Sequence, residues 1–274
     1  MPHKTIWQKL KDLDYRIYRI LAVFVEGLTF GRNSSKARIV VSQSMKEEFV
    51  CHYGDAAKGI IVIPNGVDLE VFTPANRPLY RDNIRQKHGI SSSDLVLMFA
   101  GGDWERKGVH YIIEAFPLLL RPDIKLFISG SGDEKLYGQL AELKQVREKI
   151  IFVSGRVNIW EYYAASDIFV FPTIYEPFGL VIVEAMASGL PVITSRSAGA
   201  ADLMTDGVDC LLLSDPSDIN DLAAKIELLM SNAELRKTMG ERARKTAEKL
   251  SWDRVAEKTL EVYNSVLKRE RRVV

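Results

Sequence analysis

The fold of this chain is decided by two neighbouring segments, Ile168-Phe-Val-Phe-Pro172 and Tyr175-Glu-Pro-Phe-Gly-Leu-Val-Ile-Val-Glu-Ala-Met-Ala-Ser-Gly-Leu-Pro191. The first is a continuous apolar run, which is typical of a parallel strand buried on both faces. The second begins as a loop and continues as a predicted short helix over 180–188 that ends at Gly189. A strand, a loop and a helix in this order predict one unit of an open α/β sheet.

Two glutamates flank the start of this predicted helix. Glu176 lies in the loop and Glu184 within the helix, so Gly179 and the first-turn amides lie between them. A helix start offers free N–H groups and the positive end of a dipole, which suit a phosphate. The two carboxylates can then accept hydrogen bonds from the hydroxyls of a sugar and of a ribose. Solvated side chains are the plainer interpretation, but the loop follows a buried strand, where open α/β sheets bind ligands.

The composition is that of a globular protein. The chain has 274 residues, of which 47% are hydrophobic and 27% charged, and its net charge is +1. This balance excludes extended disorder and gives no electrostatic argument for nucleic acid as a partner. Cys51 and Cys210 have neither metal nor redox spacing, so we expect no disulfide framework and a cytoplasmic location.

Membrane contact is predicted to be peripheral at most. No apolar run approaches the ~20 residues that cross a bilayer, and the first residues do not follow the order of a signal peptide. A predicted basic helix that includes Trp7 suits contact with anionic lipid through Lys4, Lys9, Lys11, Arg16 and Arg19. Asp12 and Asp14 interrupt that face, which favours an ordinary solvated helix.

From Leu95 onward, short strands are predicted to alternate with helices. The predicted strands are 95–100, 124–129, 150–153, the run from Ile168, 191–194 and 210–213. The first predicted helix is 109–120, and Pro117 is expected to disturb its last turn. The next predicted helix ends near residue 147, and the others are 159–165, 180–188, 218–230, 233–249 and 252–270. This alternation predicts the α/β class with a doubly wound, Rossmann-like parallel sheet.

The residues before about 75 are predicted to form a different, smaller part. It contains two predicted helices, near 5–30 and over 44–51, and two predicted strands, over 38–42 and 60–63. Two helices and two strands are too few for an independent doubly wound domain. Gly66 is predicted to lie in a turn that needs a positive φ. Residues 72–78, which include two prolines, are predicted to form an extended linker. The predicted domains are therefore 1–75, 76–250 and a carboxy-terminal helix over 251–274.

Several segments in this order together resemble the retaining nucleotide-sugar glycosyltransferases of the two-Rossmann (GT-B) class, in the family of glycosyl transferases group one. The lipopolysaccharide-core glucosyltransferase branch is especially similar. Besides 176–191, the matching pieces are Val41-Ser-Gln-Ser-Met-Lys46, Ile63-Pro-Asn-Gly-Val-Asp68, Phe99-Ala-Gly-Gly-Asp-Trp-Glu-Arg-Lys-Gly108, Ser154-Gly-Arg156, Tyr162-Tyr-Ala-Ala-Ser-Asp167 and Ser251-Trp-Asp253. The resemblance implies a GT-B fold and transfer of a sugar from a nucleotide-sugar donor.

The resemblance assigns two cations to the diphosphate of the donor. Lys107 aligns with the family's Lys-Gly pair and is the first candidate, and Arg106 is the second. Fixed cations there would stabilise the charge that the leaving diphosphate gains in the transition state. Many relatives carry an Arg where this chain has Gly102, which weakens the assignment of the second cation. Solvated loop cations are the alternative.

The resemblance also assigns the remaining donor contacts. It places Glu176 at the transferred sugar, Glu184 at the ribose, and Arg156 near the base or the phosphates, with a structural ion pair as the alternative for Arg156. Backbone amides of Phe178, Gly179 and Leu180 would contact the sugar or the diphosphate, and Gly130-Ser-Gly132 forms either a tight turn or a further approach to the donor.

No metal and no cofactor are expected, because cations and helix dipoles would neutralise the diphosphate. The histidines have no ligand spacing, and the one Asp-x-Asp triplet, Asp12-Leu-Asp14, falls in a predicted helix rather than at a strand end.

This sequence departs from the family at its amino terminus. Relatives have a whole Rossmann domain before the segment that matches 41–46, whereas about 40 residues stand there in this sequence. We therefore expect the donor-binding half with the end of the acceptor half, which binds a nucleotide sugar weakly and transfers it poorly alone. The surface of residues 1–70 that lacks its usual neighbours would favour self-association, and a partner chain is the alternative source of the missing domain.

Three functions stay open on the sequence alone. The first is a glycosyltransferase that acts on a cell-surface saccharide or lipid acceptor. The second is a non-catalytic nucleotide-sugar-binding subunit that needs a partner acceptor domain. The third is a sugar-nucleotide epimerase of similar architecture, which the segment around Glu176 and Glu184 fits less well.

Overall fold

The computed structural model describes Val25 and residues 37–57, 59–155 and 157–270. The predicted helix near 5–30, with its basic face, falls outside these residues except at Val25. Arg156 also lies outside the described residues.

The described residues contain two parallel sheets. A two-stranded sheet pairs β1 (Arg38–Val40) with β2 (Ile60–Val62). A six-stranded sheet has the strand order β5-β4-β3-β6-β7-β8. Its strands are β3 (Leu95–Ala100), β4 (Ile124–Ser129), β5 (Ile150–Val153), β6 (Ile168–Phe171), β7 (Val192–Ser195) and β8 (Cys210–Leu213).

Helices connect the strands and cover the faces of the large sheet. In chain order, those within the described ranges are α1 (Gln43–Tyr53), α2 (Arg77–Lys87), α3 (Val109–Ala115), α4 (Glu134–Leu143), α5 (Ile159–Ala165), α6 (Leu180–Ala187), α7 (Ile219–Ser231), α8 (Ala233–Ala247) and α9 (Trp252–Glu270). The predicted α/β class and doubly wound parallel sheet are confirmed.

The strand order reverses in the middle of the large sheet. The chain builds outward from β3 through β4 to β5, then returns to place β6 on the other side of β3. In register, Leu97 lies opposite Ile168 and Met98 opposite Phe169. The carboxyl ends of β3 and β6 are therefore neighbours, and a crevice outside such a switch point is where open α/β sheets bind ligands.

The core explains why β3 and β6 are continuous apolar runs. Every residue of both strands is buried, because helices pack on both faces of the sheet. The rings of Phe99 and Phe171 stack across the two strands with their centroids 5.5 Å apart. Trp104, just after β3, stacks on Phe152 at 5.6 Å and is 2% exposed. The strand ends are thus held by a packed interior.

Three local predictions are corrected by the structure. The expected extended linker is a 3-10 turn over Pro74–Asn76 followed directly by α2, which accepts Pro78 because first-turn N–H groups lack an intrahelical partner. The helix expected over 109–120 ends at Ala115 and continues as a 3-10 turn that contains Pro117. Gly66 has no positive φ; a Cβ there would lie 2.7 Å from the backbone N of Trp252, so close packing requires the glycine.

Asp167, which directly precedes β6, is held by three arginines of α2. Its Oδ1 accepts hydrogen bonds from Arg77 and Arg81, both at 2.8 Å, and its Oδ2 accepts one from Arg85 at 2.6 Å. The three arginines are spaced by four residues, which places them on one helix face. Burial by itself raises the pKa of Asp167, but Arg81, Arg85 and Arg77 outweigh it and hold the pKa below its usual value. The cluster fastens α2 to the amino end of the sheet.

We expect the change Asp167→Asn to lower the free energy of unfolding by about 3–5 kcal/mol, because it leaves the buried guanidinium of Arg85 without its counter-charge. Urea denaturation at neutral pH measures the loss. The native pKa of Asp167 is depressed, so its contribution is present above the unfolded pKa of about 3.9 and is lost as the pH falls through the native value. The variant should lack that acid-dependent component.

A matched control is Asp221→Asn, which breaks a more exposed ion pair with Lys225 on α7. This control should change the stability by at most about 1 kcal/mol. Equal losses in the two variants would show that the Asp167 cluster has no special role.

Candidate functional site

Glu176 is held in place by the loop that follows β7. Its backbone N–H donates to the carbonyl O of Ser197 at 3.2 Å, and its own carbonyl O accepts from the N–H of Gly199 at 2.8 Å. These two bonds form a short parallel bridge that fixes the backbone beyond β6. The side chain of Glu176 is 16% exposed.

Two cations from the loop after β3 converge on Glu176. Lys107 Nζ lies 3.5 Å and Arg106 Nη1 3.6 Å from Glu176 Oε2. The approach depends on Gly108, whose φ is 76° and at which a Cβ would lie 2.1 Å from the carbonyl O of Pro172. Thus the structure brings together three predicted residues that are about 70 positions apart in the sequence.

The carboxylate in this cluster retains capacity to accept hydrogen bonds. Glu176 Oε2 is buried and has no hydrogen-bond partner among the described residues, because both cations stand slightly beyond hydrogen-bond distance. A buried acceptor without a donor is costly, and a ligand hydroxyl would supply the donor.

The two cations differ in how firmly the protein engages them. The guanidinium of Arg106 donates to Asp103 Oδ2 at 2.7 Å and to the carbonyl O of Tyr175. The hydrogen bond from Arg106 lowers the pKa of Asp103. Within the described ranges Lys107 has one ion pair, to Glu176, and its Nζ lies 5.6 Å from the ring centre of Phe171. Lys107 therefore has fewer partners among the described residues than Arg106, and its rank as the first diphosphate cation stays a prediction.

The start of α6 adjoins this cluster. Gly179 caps the helix with a φ of 97°, and a Cβ there would lie 2.8 Å from Ile182 Cδ1 and 3.3 Å from Glu176 Cγ. Phe178 is buried, and its carbonyl O accepts from Ala200 N at 2.7 Å. Leu180 is exposed at the first position of the helix. The N–H of Ile182 already donates to the carbonyl O of Gly179 at 3.0 Å. The amides of Gly179, Leu180 and Val181 are therefore the donors that this end of α6 can present beside Glu176.

Glu184 lies one turn further along α6, in the wall of a cavity of about 750 Å³. The cavity is formed by the carboxyl ends of the central strands and the loop after β5; its lining includes Ala100, Gly101, Ser129, Gly130, Ser131, Gly155 and Asn158. Glu184 Oε2 accepts a hydrogen bond from Tyr163 Oη at 3.1 Å. Burial raises the pKa of Glu184, and the bond from Tyr163 opposes that rise. The predicted ribose carboxylate thus faces a cavity next to the helix start.

The sequence assigns no role to Tyr163, whereas it predicts either a tight turn or a donor contact at Gly130-Ser-Gly132. Tyr163 is fully buried on α5 and orients Glu184, and the segment that contains it gave no signal for that contact. Gly130 has a φ of 123°, and a Cβ there would lie 2.0 Å from the carbonyl O of Gly101. The Gly130 turn is therefore tight and also brings Ser131 into the cavity wall.

The segment of β1 and α1 reaches the same loops. Ser42 Oγ donates to the carbonyl O of Pro177 at 2.8 Å, and Tyr175 Oη donates to Glu48 Oε2 on α1 at 2.9 Å. Burial and the hydrogen bond with Glu48 raise the pKa of Tyr175 to about 12. The residues on both sides of Glu176 are therefore fixed by α1 and its cap. Contacts across more than 120 positions leave no local pattern, so they could not be predicted from the sequence.

Across 37–57, 59–155 and 157–270, no group of three or more His, Cys, Asp or Glu is placed to hold a metal ion. None of the helices in the described part of the chain is both long and apolar enough to cross a membrane. The metal-free, cofactor-free site stays a prediction.

Curated relatives include an uncharacterized glycosyltransferase of Methanocaldococcus jannaschii, 33% identical over 231 residues that cover 82% of this chain and 59% of that protein. The lipopolysaccharide glucosyltransferase WaaG of Escherichia coli is 30% identical over 244 residues, covering 87% and 65%. The D-inositol 3-phosphate glycosyltransferase of Pseudarthrobacter chlorophenolicus is 33% identical over 245 residues, covering 85% and 57%. The chain thus spans less than two thirds of the length of these relatives.

Solved structures agree on the fold. The crystal structure of WaaG superposes with a TM-score of 0.80 at 28% identity, covering 95% of this chain and 72% of that one. The structure of Anabaena HepE in complex with UDP-glucose has a TM-score of 0.76 at 24% identity, covering 84% and 64%, and supports the fold alone.

Two families match the sequence. Glycosyltransferase Family 4 matches residues 2–71, and Glycosyl transferases group 1 matches residues 80–246. Because the second match covers more than half of the 274 residues, and the parallel α/β sheet agrees with it, this chain belongs to the glycosyl transferases group 1 family, with a GT-B-type fold.

Proposed function

We propose that this chain binds a nucleotide sugar and acts in the transfer of the sugar, with retention, to a saccharide or lipid acceptor. The observation that carries the proposal is the convergence of Lys107 and Arg106 on Glu176 at the switch point of the sheet. Family membership and the chemistry of these groups support it.

The diphosphate of the donor is assigned to Lys107, Arg106 and the start of α6. The side chain of Lys107 is 15% exposed, so its charge is weakly screened by water. When the bond between the sugar and the diphosphate breaks, negative charge grows on the diphosphate. Cations and amides that already face that position stabilise the transition state more than the ground state.

The transferred sugar is assigned to Glu176 and the ribose to Glu184. The unpaired Oε2 of Glu176 suits a sugar hydroxyl, and the Glu184 carboxylate can accept two neighbouring hydroxyls. Leu180 and Glu184 are four residues apart, which corresponds to a rise of about 6 Å along the helix. That length is suited to a nucleotide whose nucleoside lies in the cavity of Glu184 and whose diphosphate lies at the start of α6.

The reaction needs no redox step. The bond between the anomeric carbon and the diphosphate oxygen breaks, and a bond from the acceptor oxygen to that carbon forms on the same face. The acceptor proton leaves with the departing diphosphate. Lys107, Arg106 and the helix start take the place of a metal in this proposal, and Arg156, which lies outside the described residues, is proposed near the base or the phosphates.

A second candidate is a non-catalytic nucleotide-sugar-binding subunit whose acceptor domain belongs to another chain. The observation that favours it is that the charged groups of the described site, Lys107, Arg106 and Glu176, with Glu184 beside them, all suit the donor. Since the matched relatives are substantially longer, productive transfer is proposed to need a further surface that positions the acceptor hydroxyl.

The diphosphate assignment predicts the effect of Lys107→Ala. Calorimetric titration against UDP-, GDP- and ADP-sugars first identifies the preferred nucleotide. The variant should then bind the corresponding nucleoside diphosphate about 10- to 100-fold more weakly, because a charge-assisted hydrogen bond contributes about 1.5–3 kcal/mol, and bind the free nucleoside unchanged. Lys135→Ala, on the exposed surface of α4, is the control. Equal losses for nucleoside and diphosphate would contradict the assignment.

The ribose assignment predicts a loss that depends on the ligand. Glu184→Ala should weaken binding of the ribonucleotide while leaving that of its 2′,3′-dideoxy analogue unchanged. Tyr163→Phe should raise the pKa of Glu184 further, because it removes a hydrogen bond to the charged form. Carboxyl ¹³C NMR during a pH titration measures this shift.

The neighbouring tyrosine provides the control for that measurement. Tyr162 Oη lies 3.2 Å from His88 Nε2 and makes no described contact with Glu184. Tyr162→Phe should therefore leave the Glu184 titration unchanged. Loss of dideoxynucleotide binding in Glu184→Ala would indicate a structural rather than a ribose-binding role.

Glu176 is predicted to matter for transfer rather than for nucleotide affinity. We expect Glu176→Gln to lower the transfer rate by about 10²-fold or more and to leave nucleoside diphosphate affinity within about threefold. NMR of the product should show the anomeric configuration of the donor. Efficient transfer by this chain alone would refute the need for a further acceptor surface. Donor binding without transfer, whichever donor and acceptor are supplied, would favour the second candidate, the non-catalytic nucleotide-sugar-binding subunit.

A further inference from the structure

A second cavity, of about 650 Å³, lies at the amino end of the large sheet, opposite the edge that carries the donor-site candidates. One face of α8 forms one wall, and the turn before β7 and the start of α2 form the others. The residues that matter for its chemistry are Arg77, Asp167, Ser188, Arg236, Lys237, Glu241, Arg244, Lys245 and Glu248.

Some of these charges neutralise one another. Arg77 pairs with Asp167, and Arg244 pairs with Glu248 while also donating to two backbone carbonyls. Among the described residues, Lys237 and Lys245 have no ion pair and are exposed. Three cations, Arg236, Lys237 and Lys245, are thus opposed in this cavity by the single remaining carboxylate of Glu241.

Arg236 is the fixed member of this group. Its Nη1 donates to the carbonyl O atoms of Leu229 at 2.6 Å and Met230 at 2.8 Å, which sets the plane of the guanidinium. Its Nε and Nη2 have no partner in the described part of the chain. Burial lowers the pKa of Arg236; Asp167 opposes this shift, and Arg121 and Arg77 act in the same direction as burial. The N–H groups of Arg236 that lack a partner among the described residues are therefore the donors that an anion would use.

Ser188 adds a neutral polar group to the same wall. Its Oγ is buried and has no hydrogen-bond partner among the residues that the structure describes. Ser188 ends α6, so it lies at the opposite end of the helix from Gly179 and Glu176. Eight helical residues span about 12 Å, which separates this cavity from the donor site.

We propose that this cavity is an anion site for a small phosphate-bearing ligand, a phosphate monoester or diphosphate. A guanidinium with a preset plane gives directional donors, and two lysines supply mobile charge, a combination suited to a phosphate dianion. The phosphate belongs either to a soluble metabolite or to a lipid headgroup, since both present the same chemistry.

The test uses the full chain, labelled with ¹⁵N, and inorganic phosphate as the probe. Saturable amide shifts are expected at Ser188, Gly189 and Gly240, which surround the cavity. The double variant Lys237→Gln/Lys245→Gln should weaken this binding by about tenfold. The control Lys135→Gln/Lys258→Gln removes the same charge from exposed positions elsewhere and should bind phosphate normally.

Two results would overturn the proposal. One is a set of phosphate-induced shifts confined to the start of α6 near Gly179, and the other is an equal loss of affinity in the control. Sedimentation with vesicles that contain phosphatidic acid, whose headgroup is a phosphate monoester, against vesicles of phosphatidylcholine alone, then separates the two sources. Lysine-dependent vesicle binding identifies a lipid phosphate, and phosphate shifts without vesicle binding identify a soluble ligand.

Discussion

The structure depends on the close approach of two loops at the switch point of the parallel sheet. Gly108 packs against the carbonyl O of Pro172 so tightly that no Cβ fits between them. This contact places the loop after β3 against the loop after β6, and it sets Lys107 and Arg106 beside Glu176. A larger residue at position 108 would push the two loops apart and so separate Lys107 and Arg106 from Glu176.

The same arrangement makes the site preorganised before any ligand arrives. Glu176 is bonded through its backbone to the loop after β7, Arg106 is anchored to Asp103, and Tyr163 holds Glu184. Each group is oriented by a residue from a different loop or helix. Little conformational freedom then remains to be lost on binding, which favours stabilisation of charge that develops during a reaction. Ser42 and Glu48, at the start of α1 and within it, add further contacts to the residues on either side of Glu176.

The two ends of the sheet have different electrostatics. At the carboxyl end, two cations face one carboxylate that retains an open acceptor. At the amino end, Asp167 neutralises part of a larger arginine group, while Arg236 keeps donors without a partner in the described structure. Helix α6 runs between them, with Gly179 at one end and Ser188 at the other. The two ends of α6 therefore lie at two different sites, and the charged residues around one end differ from those around the other.

The sequence by itself determined the alternating order of elements, the bounds of β3, β4, β5 and β8, the family, and the residue types of the proposed donor site. These features follow from periodicity, from glycine and proline positions, and from segments that keep their order along the chain. The tertiary structure alone decided that α2 begins within the proline-rich stretch, that Gly66 serves packing, and that Tyr163 holds Glu184. It also decided that three arginines share Asp167, more than 80 residues away. Local pattern carries the first group because it depends on neighbours in sequence, whereas the second depends on which surfaces meet when helices pack on the sheet.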